Sequence, residues 1–529
     1  MEYVLVITAQ NALFILSGAV SLWALKTYWQ YRRMLASVAY TPGPKTFFPG
    51  TTPLARLLPD MPPVNRTSDW SWKLKYNAFK PYGMDVLASF TFWPSARLGF
   101  HIGDANIVKE IMTHHSSFPK PVIAYEPLNY FGRNVLSTEG DEWRRHRKVV
   151  QTSFNERNNK LVWRTTQELV LELMENVWDA EEAIEGVVKV QDGAELTRTL
   201  ALMVISATGY GMRFPWKDNG VPPPGHSMTF KKCIHYILKG FIHRLALPDW
   251  ILDCYQLGRD TKTAYKEFGI YIRDMIDTRL TSPGEHDDLF SNLLRAREAE
   301  KESGVTLSDE ELAGNIFILL MAGHETTANT LALTLNYLAM YPEVQEKWHQ
   351  QVIEYTKPGH LPDYADIPKL TYGMAIIQEV LRLVPVAPTI PKQSAFKTHF
   401  TTRTTEGGIK NIPVPEGSNL LINVVGLHYN PKYWEDPMEF RPERFLKEHT
   451  YNKNAWLAFS AGPRSCIGRR FAEVEMLACL ALIIQRYKIE PTMLPNETME
   501  ACRARFMSVE RVTFVVQAKS VGLTLRRRY

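Results

Sequence analysis

One cysteine of this chain lies in a short loop whose neighbours favour an anionic sulfur. The stretch FSAGPRSCIGRRFAEVE places Cys466 just ahead of a predicted helix. A helix N-terminus stabilises anions, and Arg464 and Arg469 add positive potential, so we expect a stable thiolate. Gly462 and Gly468 permit a tight backbone path and the close approach of a flat ligand. Such a thiolate could act as a nucleophile or as a metal ligand.

A second group of polar residues, AGHETT, lies inside the longest helical segment of the sequence. His324 and Glu325 could begin the H-E-x-x-H zinc motif, but the residue four positions after His324 is Ala328, which excludes it. A nucleophilic Cys466 would need a general base. Its loop contains no histidine, although one from elsewhere in the chain could lie close in the fold.

The cysteine loop matches a family signature. The pattern F-x-x-G-x-R-x-C-x-G is filled at every fixed position, by Phe459, Gly462, Arg464, Cys466 and Gly468. It resembles the haem-binding loop of the cytochrome P450 monooxygenases. The resemblance implies a haem b cofactor with the Cys466 thiolate as the axial iron ligand, which favours O–O cleavage. It also implies that the glycines make room for the porphyrin and that Arg464 meets its carboxylate edge.

The AGHETT residues also stand in the family's order and spacing. The resemblance implies that Ala322 and Gly323 leave room for dioxygen against the haem face, and that Glu325 and Thr326 relay protons. Oxygen activation consumes protons, which have to arrive without flooding the site with water. The alternative for these hydroxyl residues is ordinary hydrogen bonding to the preceding helical turn.

A glutamate and two arginines resemble the family's structural ion-pair cluster. Glu379 and Arg382 in QEVLR are three residues apart on one helix face, and FRPERF supplies Arg444. Removing one partner of a buried pair leaves an uncompensated charge. We therefore expect Arg382→Ala to abolish haem incorporation.

The motif WRRHR provides candidates for binding the haem propionates. Trp143 and Arg147 lie one helical turn apart, and the resemblance makes both of them propionate donors. Lys392 occupies the place at which many relatives carry an arginine. It offers a point charge where an arginine would offer a bidentate fork.

The rest of the chain has mostly helical periodicity. Apolar residues recur at helical spacing in residues 143–154, 160–178, 196–210, 262–280 and 307–340. Ser308 and Glu311 form a capping-box pattern at the start of the longest helix. Strand-like segments are few, near residues 392–402, 419–425 and 511–517. The sequence predicts a mainly α protein with small β-sheets, and the resemblance implies the cytochrome P450 fold.

The N-terminus predicts a membrane anchor. Residues 3–25 contain no charge and are long enough to cross a bilayer. Glu2 precedes this stretch, and Lys26, Arg32 and Arg33 follow it, which favours an uncleaved anchor over a signal peptide. The positive-inside rule then places the remaining chain in the cytosol. We expect a single-pass protein of the endoplasmic reticulum membrane. This transmembrane helix then precedes the cytochrome P450 fold.

Three divisions of the chain follow. Residues 1–25 form the anchor, residues 26–50 form a basic flank and a stiff Pro/Gly hinge, and residues 51–529 form a single haem-thiolate monooxygenase domain. Length alone favours about three or four domains, but the sequence contains no repeat and no convincing internal linker.

The amino-acid composition limits the classes of binding partner that we expect. The 61 basic and 56 acidic side chains leave a formal charge of +5, which is too small and too scattered to indicate nucleic-acid binding. The five cysteines are an odd number and lie far apart, which favours a reducing compartment. The sequons at Asn65 and Asn496 would then stay unmodified, because a cytosolic domain does not meet the glycosyltransferase.

The resemblance implies a monooxygenase that inserts one atom of dioxygen into a lipophilic substrate. The chain carries no flavin or nicotinamide motif, so electrons would come from a separate NADPH-cytochrome P450 reductase, with cytochrome b5 as a second donor. Basic side chains could form its docking face, namely Arg144, Arg145, Lys148, Arg469 and Arg470. The alternatives are a haem-thiolate isomerase or dehydratase that needs no external electrons, and a haem sensor or carrier without turnover.

The expected substrate pocket is mostly apolar and aromatic. Its lining is predicted from residues 125–131, 230–247, 317–321, 384–389 and 519–523. The sequence resembles microsomal enzymes of filamentous fungi, basidiomycetes in particular, many of which act on terpenoids in secondary metabolism. A terpenoid or another secondary metabolite is therefore the expected substrate class.

Overall fold

The computed structural model describes most of the chain. The described residues are 2–48, 61, 64, 70–178, 186–217, 220–281, 288–301, 306–356, 360–512 and 515–528. The sequon at Asn65, the end of the expected hinge and the tip of the last hairpin lie outside them.

Helices make up most of the described fold. In chain order they are α1 (Glu2–Ser37), α2 (Trp70–Leu74), α3 (Ala105–Thr113), α4 (Gly140–Gln151), α5 (Glu156–Leu173), α6 (Gly193–Tyr210), α7 (Phe230–Ala246), α8 (Asp249–Leu252), α9 (Gln256–Thr281), α10 (Leu289–Lys301), α11 (Asp309–Met340), α12 (Pro342–Tyr355), α13 (Thr371–Leu383), α14 (Val424–His428), α15 (Arg469–Arg486) and α16 (Met499–Phe506).

The strands are short. They are β1 (Lys45–Thr46), β2 (Val86–Thr91), β3 (Arg97–Ile102), β4 (Val187–Val190), β5 (Thr389–Gln393), β6 (Thr398–Arg403), β7 (Ile409–Val414), β8 (Asn419–Asn423), β9 (Tyr487–Pro491), β10 (Val509–Val512), β11 (Val515–Ala518) and β12 (Leu523–Arg527). The predicted class, mainly α with small sheets, is confirmed.

The chain folds as two compact units. The first comprises Met1–Pro121, Pro388–Pro437 and Asn452–Arg464, and the second comprises Val122–Ala387, Met438–Tyr451 and Ser465–Tyr529. The cysteine loop is therefore divided, with Arg464 ending a segment of the first unit and Ser465 beginning a segment of the second. The single domain 51–529 stays a prediction.

The first unit is built on a mixed sheet. Its strand order is β1-β2-β3-β8-β5, and β6 and β7 form a separate hairpin. Two buried phenylalanines, Phe90 of β2 and Phe100 of β3, belong to its core. The end of α1 also packs on this unit, since Tyr31 meets Phe90 and Phe92 edge to face. The expected hinge is not a free linker at its start, because Lys45 and Thr46 pair with β2.

The second unit is organised around α11. The helix begins with a capping box in which Ser308 and Glu311 exchange hydrogen bonds, as the sequence predicts. By length and composition α11 could span a membrane, but 72% of its most apolar window is buried inside the protein. Its apolar surface therefore serves the core. Its length of 32 residues corresponds to about 48 Å, so it can position groups far apart.

Several boundaries differ from the sequence prediction. The strand expected at residues 419–425 ends at Asn423, whose side chain accepts a hydrogen bond from Gly426 and starts α14. The segment near residues 392–402 is divided between β5 and β6. The helix expected to start at Lys160 starts at Glu156, because Asn155 caps it.

Candidate active site

Cys466 lies in the loop before α15 and is exposed. Even so, enough protein surrounds it that desolvation raises the pKa of its thiol, and this effect outweighs the backbone N–H of Gly468 and the charges of Arg147 and Arg469, which lower that pKa. The positive charges and the backbone N–H expected near the sulfur are present and lower its pKa, but they do not by themselves give a stable thiolate. A bound cation would supply the missing stabilisation.

A nucleophilic role for Cys466 finds no support in its surroundings. Within the described residues, no histidine or other general base acts on this sulfur; apart from the two arginines, the charged group that does is Glu473, which raises its pKa. A cysteine nucleophile needs a base or a lowered pKa. The open alternative between nucleophile and metal ligand therefore resolves towards the metal ligand.

Gly468 leaves open space beside the sulfur. Its φ of −89° is one that any residue adopts, and an added Cβ would be 3.5 Å from the Phe154 ring, an ordinary contact. Neither backbone strain nor packing within the protein therefore requires glycine here. Its backbone N–H acts on the Cys466 sulfur, and the lack of a side chain there suits the close approach of a flat prosthetic group.

Gly462 has a different reason to be glycine. Its φ is +67°, and a Cβ there would overlap the carbonyl oxygen of Met112, near the end of α3. The close approach that it permits is therefore to α3 of the first unit. The expectation that this glycine also makes room for porphyrin stays a prediction.

Other predicted cofactor residues belong to the first unit. Phe459 packs its ring 6.0 Å from that of Trp456. Lys392 is buried in β5, and Arg464 is half-buried at the end of its segment. Their roles towards haem stay predictions.

Helix α4 brings an arginine to the cysteine loop. Trp143 is buried, and Arg147 donates from Nη1 to the carbonyl oxygen of Ser465 at 3.1 Å. Burial lowers the pKa of Arg147, and the sulfur of Cys466 raises it. The structure thus places the predicted propionate-binding arginine next to the predicted iron ligand.

The AGHETT segment interrupts the buried surface of α11. Ala322 is exposed and Thr326 is half-buried, whereas nearly all residues from Thr327 to Met340 are buried. A small side chain exposed in the middle of a core helix indicates space for a ligand rather than for solvent contact at an outer face. The Thr326 hydroxyl donates to the carbonyl oxygen of Ala322 at 2.7 Å, so it also makes the ordinary helical bond.

Gly323 faces the protein. A Cβ added there would lie 2.8 Å from a methyl group of Ile205 in α6. This glycine therefore permits close packing of α6 against α11, and its expected role of leaving room for dioxygen stays a prediction. Ala322 is the residue of the pair that is exposed.

Glu325 has a partner that the sequence motifs do not include. Its carboxylate accepts a hydrogen bond from the side-chain amide of Gln517 in β11. Burial raises the pKa of Glu325, while Gln517 and the charge of Arg198 lower it. The net effect is upward, so this carboxyl group can take up a proton more readily than an exposed glutamate.

The glutamate and two arginines form the expected cluster. Both side chains of the Glu379–Arg382 pair are fully buried, with 2.6 Å from Arg382 Nε to Glu379 Oε2. Arg444 Nε lies 3.3 Å from Glu379 Oε1, and the backbone N–H of Arg441 donates to the same oxygen at 2.9 Å. The cluster therefore ties α13 to the segment around Pro442–Phe445.

The sequence did not predict the structural role of Arg145. This side chain is paired with Glu311 at the start of α11 through two hydrogen bonds, one of them 2.7 Å long. It is therefore committed to the fold and is not part of a docking face. No local signal distinguishes Arg145 from Arg144, since the pairing spans 166 residues.

The carboxylates near His146 resemble a metal cluster. Ligand atoms of Glu142, His146 and Glu311 lie within 4.8 Å of one another. However, Glu142 pairs with Arg133 at 2.5 Å and Glu311 pairs with Arg145. Guanidinium groups already neutralise both carboxylates, so this is an ion-pair network.

Comparisons with known proteins agree with this arrangement. A family model described as "Cytochrome P450" matches residues 76–511. The chain is 41% identical over 443 residues to "Cytochrome P450 monooxygenase 124" of Postia placenta, covering 82% of this chain and 84% of that protein. It is 26% identical to "Lithocholate 6-beta-hydroxylase" of Mesocricetus auratus, covering 89% and 90%. Its fold is similar to the crystal structure of a "cytochrome P450DA heme domain" (TM-score 0.73, 22% identity, covering 92% of this chain and 98% of that one).

The buried cluster gives a stability prediction. We expect Arg382→Ala to lower the free energy of unfolding by about 3–5 kcal/mol, because it leaves the buried Glu379 carboxylate without its main partner. Urea unfolding, with the amount of bound haem measured in parallel, checks this. The control is Arg526→Ala, which removes a more exposed pair with Glu490 and should cost less than about 1 kcal/mol. Equal losses in the two variants would contradict the structural role of the cluster.

Proposed function

The chain belongs to the cytochrome P450 family, and on that premise we propose that it inserts one atom of dioxygen into a lipophilic organic substrate with electrons from NADPH. The family is one of monooxygenases, so the enzyme class follows directly. The observation that carries the proposal is the exposed Cys466, with Gly468 leaving space beside it and Arg147 bound to the adjacent loop.

The family and the fold imply a haem with a cysteine thiolate as axial ligand. We assign that ligand to Cys466, with Trp143 and Arg147 holding the propionate edge. Arg464, Phe459, Gly462 and Lys392 are the further cofactor residues that the sequence pattern predicts. When bound, the haem supplies dioxygen binding and electron transfer to oxygen.

Residues of α11 would leave space for a ligand and would hold a proton for the reaction. Ala322 leaves the surface of α11 open, and the raised pKa of Glu325 lets its carboxyl group hold a proton near the Thr326 hydroxyl. Burial of the neighbouring helix turns keeps bulk water from the group. These properties suit delivery of protons one at a time.

Two other functions remain as alternatives. A haem-thiolate isomerase or dehydratase would need no external electrons, and a sensor or carrier would show no turnover. The exposed Ala322 and the protonatable Glu325 favour oxygen activation over both. NADPH-dependent product formation by the chain together with a reductase, read by mass spectrometry, separates the three.

The substrate is proposed to be a terpenoid or another lipophilic secondary metabolite. Aromatic rings fill the region between the loop after Val122 and helices α9 and α11. The ring centre of Phe131 lies 5.0 Å from that of Phe317 and 5.3 Å from that of Phe268. Phe317 is almost fully buried while Met321 is half-buried, so Met321 is the better lining candidate on α11. The similar Mesocricetus auratus protein hydroxylates lithocholate according to its name, and similar monooxygenases are fungal.

The electron donor is proposed to be NADPH-cytochrome P450 reductase, with cytochrome b5 as a second donor. Helix α4 presents Arg144 and Lys148 on its exposed face, and Arg469 and Arg470 are exposed at the start of α15. Since Arg147 of the same helix contacts the cysteine loop, this face lies close to the proposed haem ligand. An acidic donor would meet positive charge there.

The chain is proposed to be a single-pass protein of the endoplasmic reticulum membrane, with its catalytic part in the cytosol. Large apolar side chains on α1 are exposed, among them Phe14, Leu16 and Leu22. Helix α1 then continues past Lys26 and packs on the first unit, where Trp23 donates to the carbonyl oxygen of Pro94 at 2.7 Å. Such exposed apolar surface is suited to lipid.

The iron ligand has a spectroscopic test. We expect Cys466→His to lose the red-shifted Soret band of the reduced carbon monoxide complex, because that shift requires a thiolate ligand. Cys254→Ala is the matched control, since Cys254 is an exposed free cysteine away from the loop and should leave the band unchanged. A retained band in Cys466→His would refute the assignment.

The anchor has a membrane-extraction test. Replacing Leu16 and Val20 together by arginine should release the protein from membranes at alkaline pH, since each charge at the centre of a span costs about 2.5–3.5 kcal/mol. Arginines at Tyr28 and Trp29, exposed on the same helix beyond Lys26, are the matched control and should leave the protein membrane-bound. Equal behaviour of the two pairs would rule out a span over residues 3–25.

The docking face has a kinetic test. Lys148→Glu should slow the first electron transfer from the reductase by on the order of tenfold at low salt, and the difference should shrink as salt screens the charges. Lys266→Glu, an exposed lysine on α9, is the control and should keep the wild-type rate. If both reversals act alike, net charge rather than the α4 face decides the rate.

A further inference from the structure

Glu325 is held by a hairpin near the C-terminus. The side-chain amide of Gln517 in β11 donates to Glu325 Oε1, and the two residues are 192 positions apart in the chain. Both side chains are partly buried in the second unit. The contact brings a neutral amide to the carboxyl group proposed above to hold a proton.

The position of that amide is fixed by its surroundings. The backbone N–H of Ala518 donates to Asn329 Oδ1 at 3.3 Å, and Asn329 Nδ2 donates to the carbonyl oxygen of Glu325 at 2.9 Å. Two turns further along the same face, Asn336 Nδ2 donates to the carbonyl oxygen of Phe506, just before the hairpin, at 3.1 Å. The hairpin is thus attached to α11 directly at Ala518 and, through the end of α16 that precedes it, at Phe506, so Gln517 has little freedom to move away.

A glutamine amide can serve a carboxyl group in either protonation state. Its NH₂ donates to a carboxylate, and after rotation its carbonyl oxygen accepts from the O–H of a carboxylic acid. A lysine or arginine in the same place would only donate, and its charge would hold the carboxylate ionised. An apolar side chain would offer nothing to either state.

We propose that Gln517 is a positioning residue that keeps the Glu325 carboxyl group hydrogen-bonded both when it carries a proton and when it has given that proton up. The proposal rests on the proton-relay role proposed for Glu325. It adds to that role a residue that lies outside the family motifs. Gln517 does not itself move the proton; it lets Glu325 do so without leaving a buried charge or a buried O–H unpaired.

The charged groups around Glu325 are few. Arg198 of α6 acts on it and lowers its pKa, against the larger effect of burial. His324, the preceding residue, has its pKa lowered to about 4 by burial, so it is neutral near pH 7. Strand β11 carries no titratable side chain, and Glu510 of β10, which is opposite Gln517 in the pair, is exposed to solvent. In the part of the chain that the structure describes, no adjacent cation replaces Gln517 as the direct partner.

Infrared spectroscopy of the resting full-length protein with bound haem tests the proposal without turnover. The C=O band of protonated Glu325 is identified by its loss in Glu325→Gln, and its intensity is followed with pH. In Gln517→Lys the midpoint should fall by about 1–3 pH units, because an ammonium group favours the carboxylate. In Gln517→Met it should rise, because the hydrogen bond that lowers this pKa is lost.

Glu510→Gln is the matched control. Like Gln517→Lys it raises the net charge of the same hairpin by one, but at a solvent-exposed side chain next to Gln517 whose charge water and salt screen, so the Glu325 midpoint should fall by much less than in Gln517→Lys. Haem content and thermal unfolding establish that each variant is folded. A midpoint that does not move in Gln517→Lys or Gln517→Met, or that moves equally in Glu510→Gln, would overturn the proposal.

Turnover separates this proposal from the proposed function. With reductase and NADPH, Gln517→Lys should divert more electrons to released hydrogen peroxide and form product on the order of tenfold more slowly at neutral pH, with recovery as the pH is lowered. If Glu325→Gln forms product normally, the relay role of Glu325 fails. If Glu325→Gln is impaired while the pH profile of Gln517→Lys matches wild type, the relay stands and the role of Gln517 fails.

Discussion

The carboxylate of Glu311 joins the two sides of the proposed active site. It completes the capping box of α11 with Ser308 and pairs with Arg145 of α4. Helix α4 carries Arg147, which contacts the loop of Cys466, and α11 carries Ala322 and Thr326. One side chain therefore fixes the helix that reaches the sulfur against the helix that faces the proposed oxygen site. The hydrogen bond between Asn315 of α11 and His146 of α4 is a second contact between the same two helices.

The energetics of this junction follow from its charges. Hydrogen bonds from Arg145 are the largest cause of a Glu311 pKa lowered to about 2, and burial opposes them. Because the folded pKa lies below the ordinary glutamate value of 4.5, the pairing stabilises the fold above that value and is lost as the pH falls towards 2. The adjacent His146 is buried, and desolvation lowers its pKa, so it stays neutral and takes a hydrogen bond from Asn315 Nδ2 to Nδ1 at 2.9 Å. A neutral histidine beside an ion pair leaves the charge balance to Arg145 and Glu311.

Contacts between residues of one sequence motif could be predicted from local patterns. The other contacts of the site join residues far apart in the chain and could not. The cysteine loop, the capping box of α11 and the Glu379–Arg382 pair are each set by residues close in sequence, and all three are present in the structure. The partners of Arg145 and Glu325 are 166 and 192 residues away, and nothing local marks them. Gly462 and Gly323 show a second limit. A sequence indicates that a side chain is absent, but only the fold shows that Met112 and Ile205 lie where that side chain would be.

The attachment of α1 changes how a membrane would constrain the protein. Thr27 and Val38 are buried against the first unit, and Trp23, one helical turn before Thr27, contacts the rings of Phe47 and Trp93. Trp23 lies at the end of the uncharged stretch, where tryptophan belongs at the membrane–water interface. Because α1 packs on the rest of the first unit over several turns, it is not a flexible linker. If α1 spans the bilayer as proposed, then Trp93 must lie at the same depth as Trp23, and the orientation of the first unit follows from the helix itself.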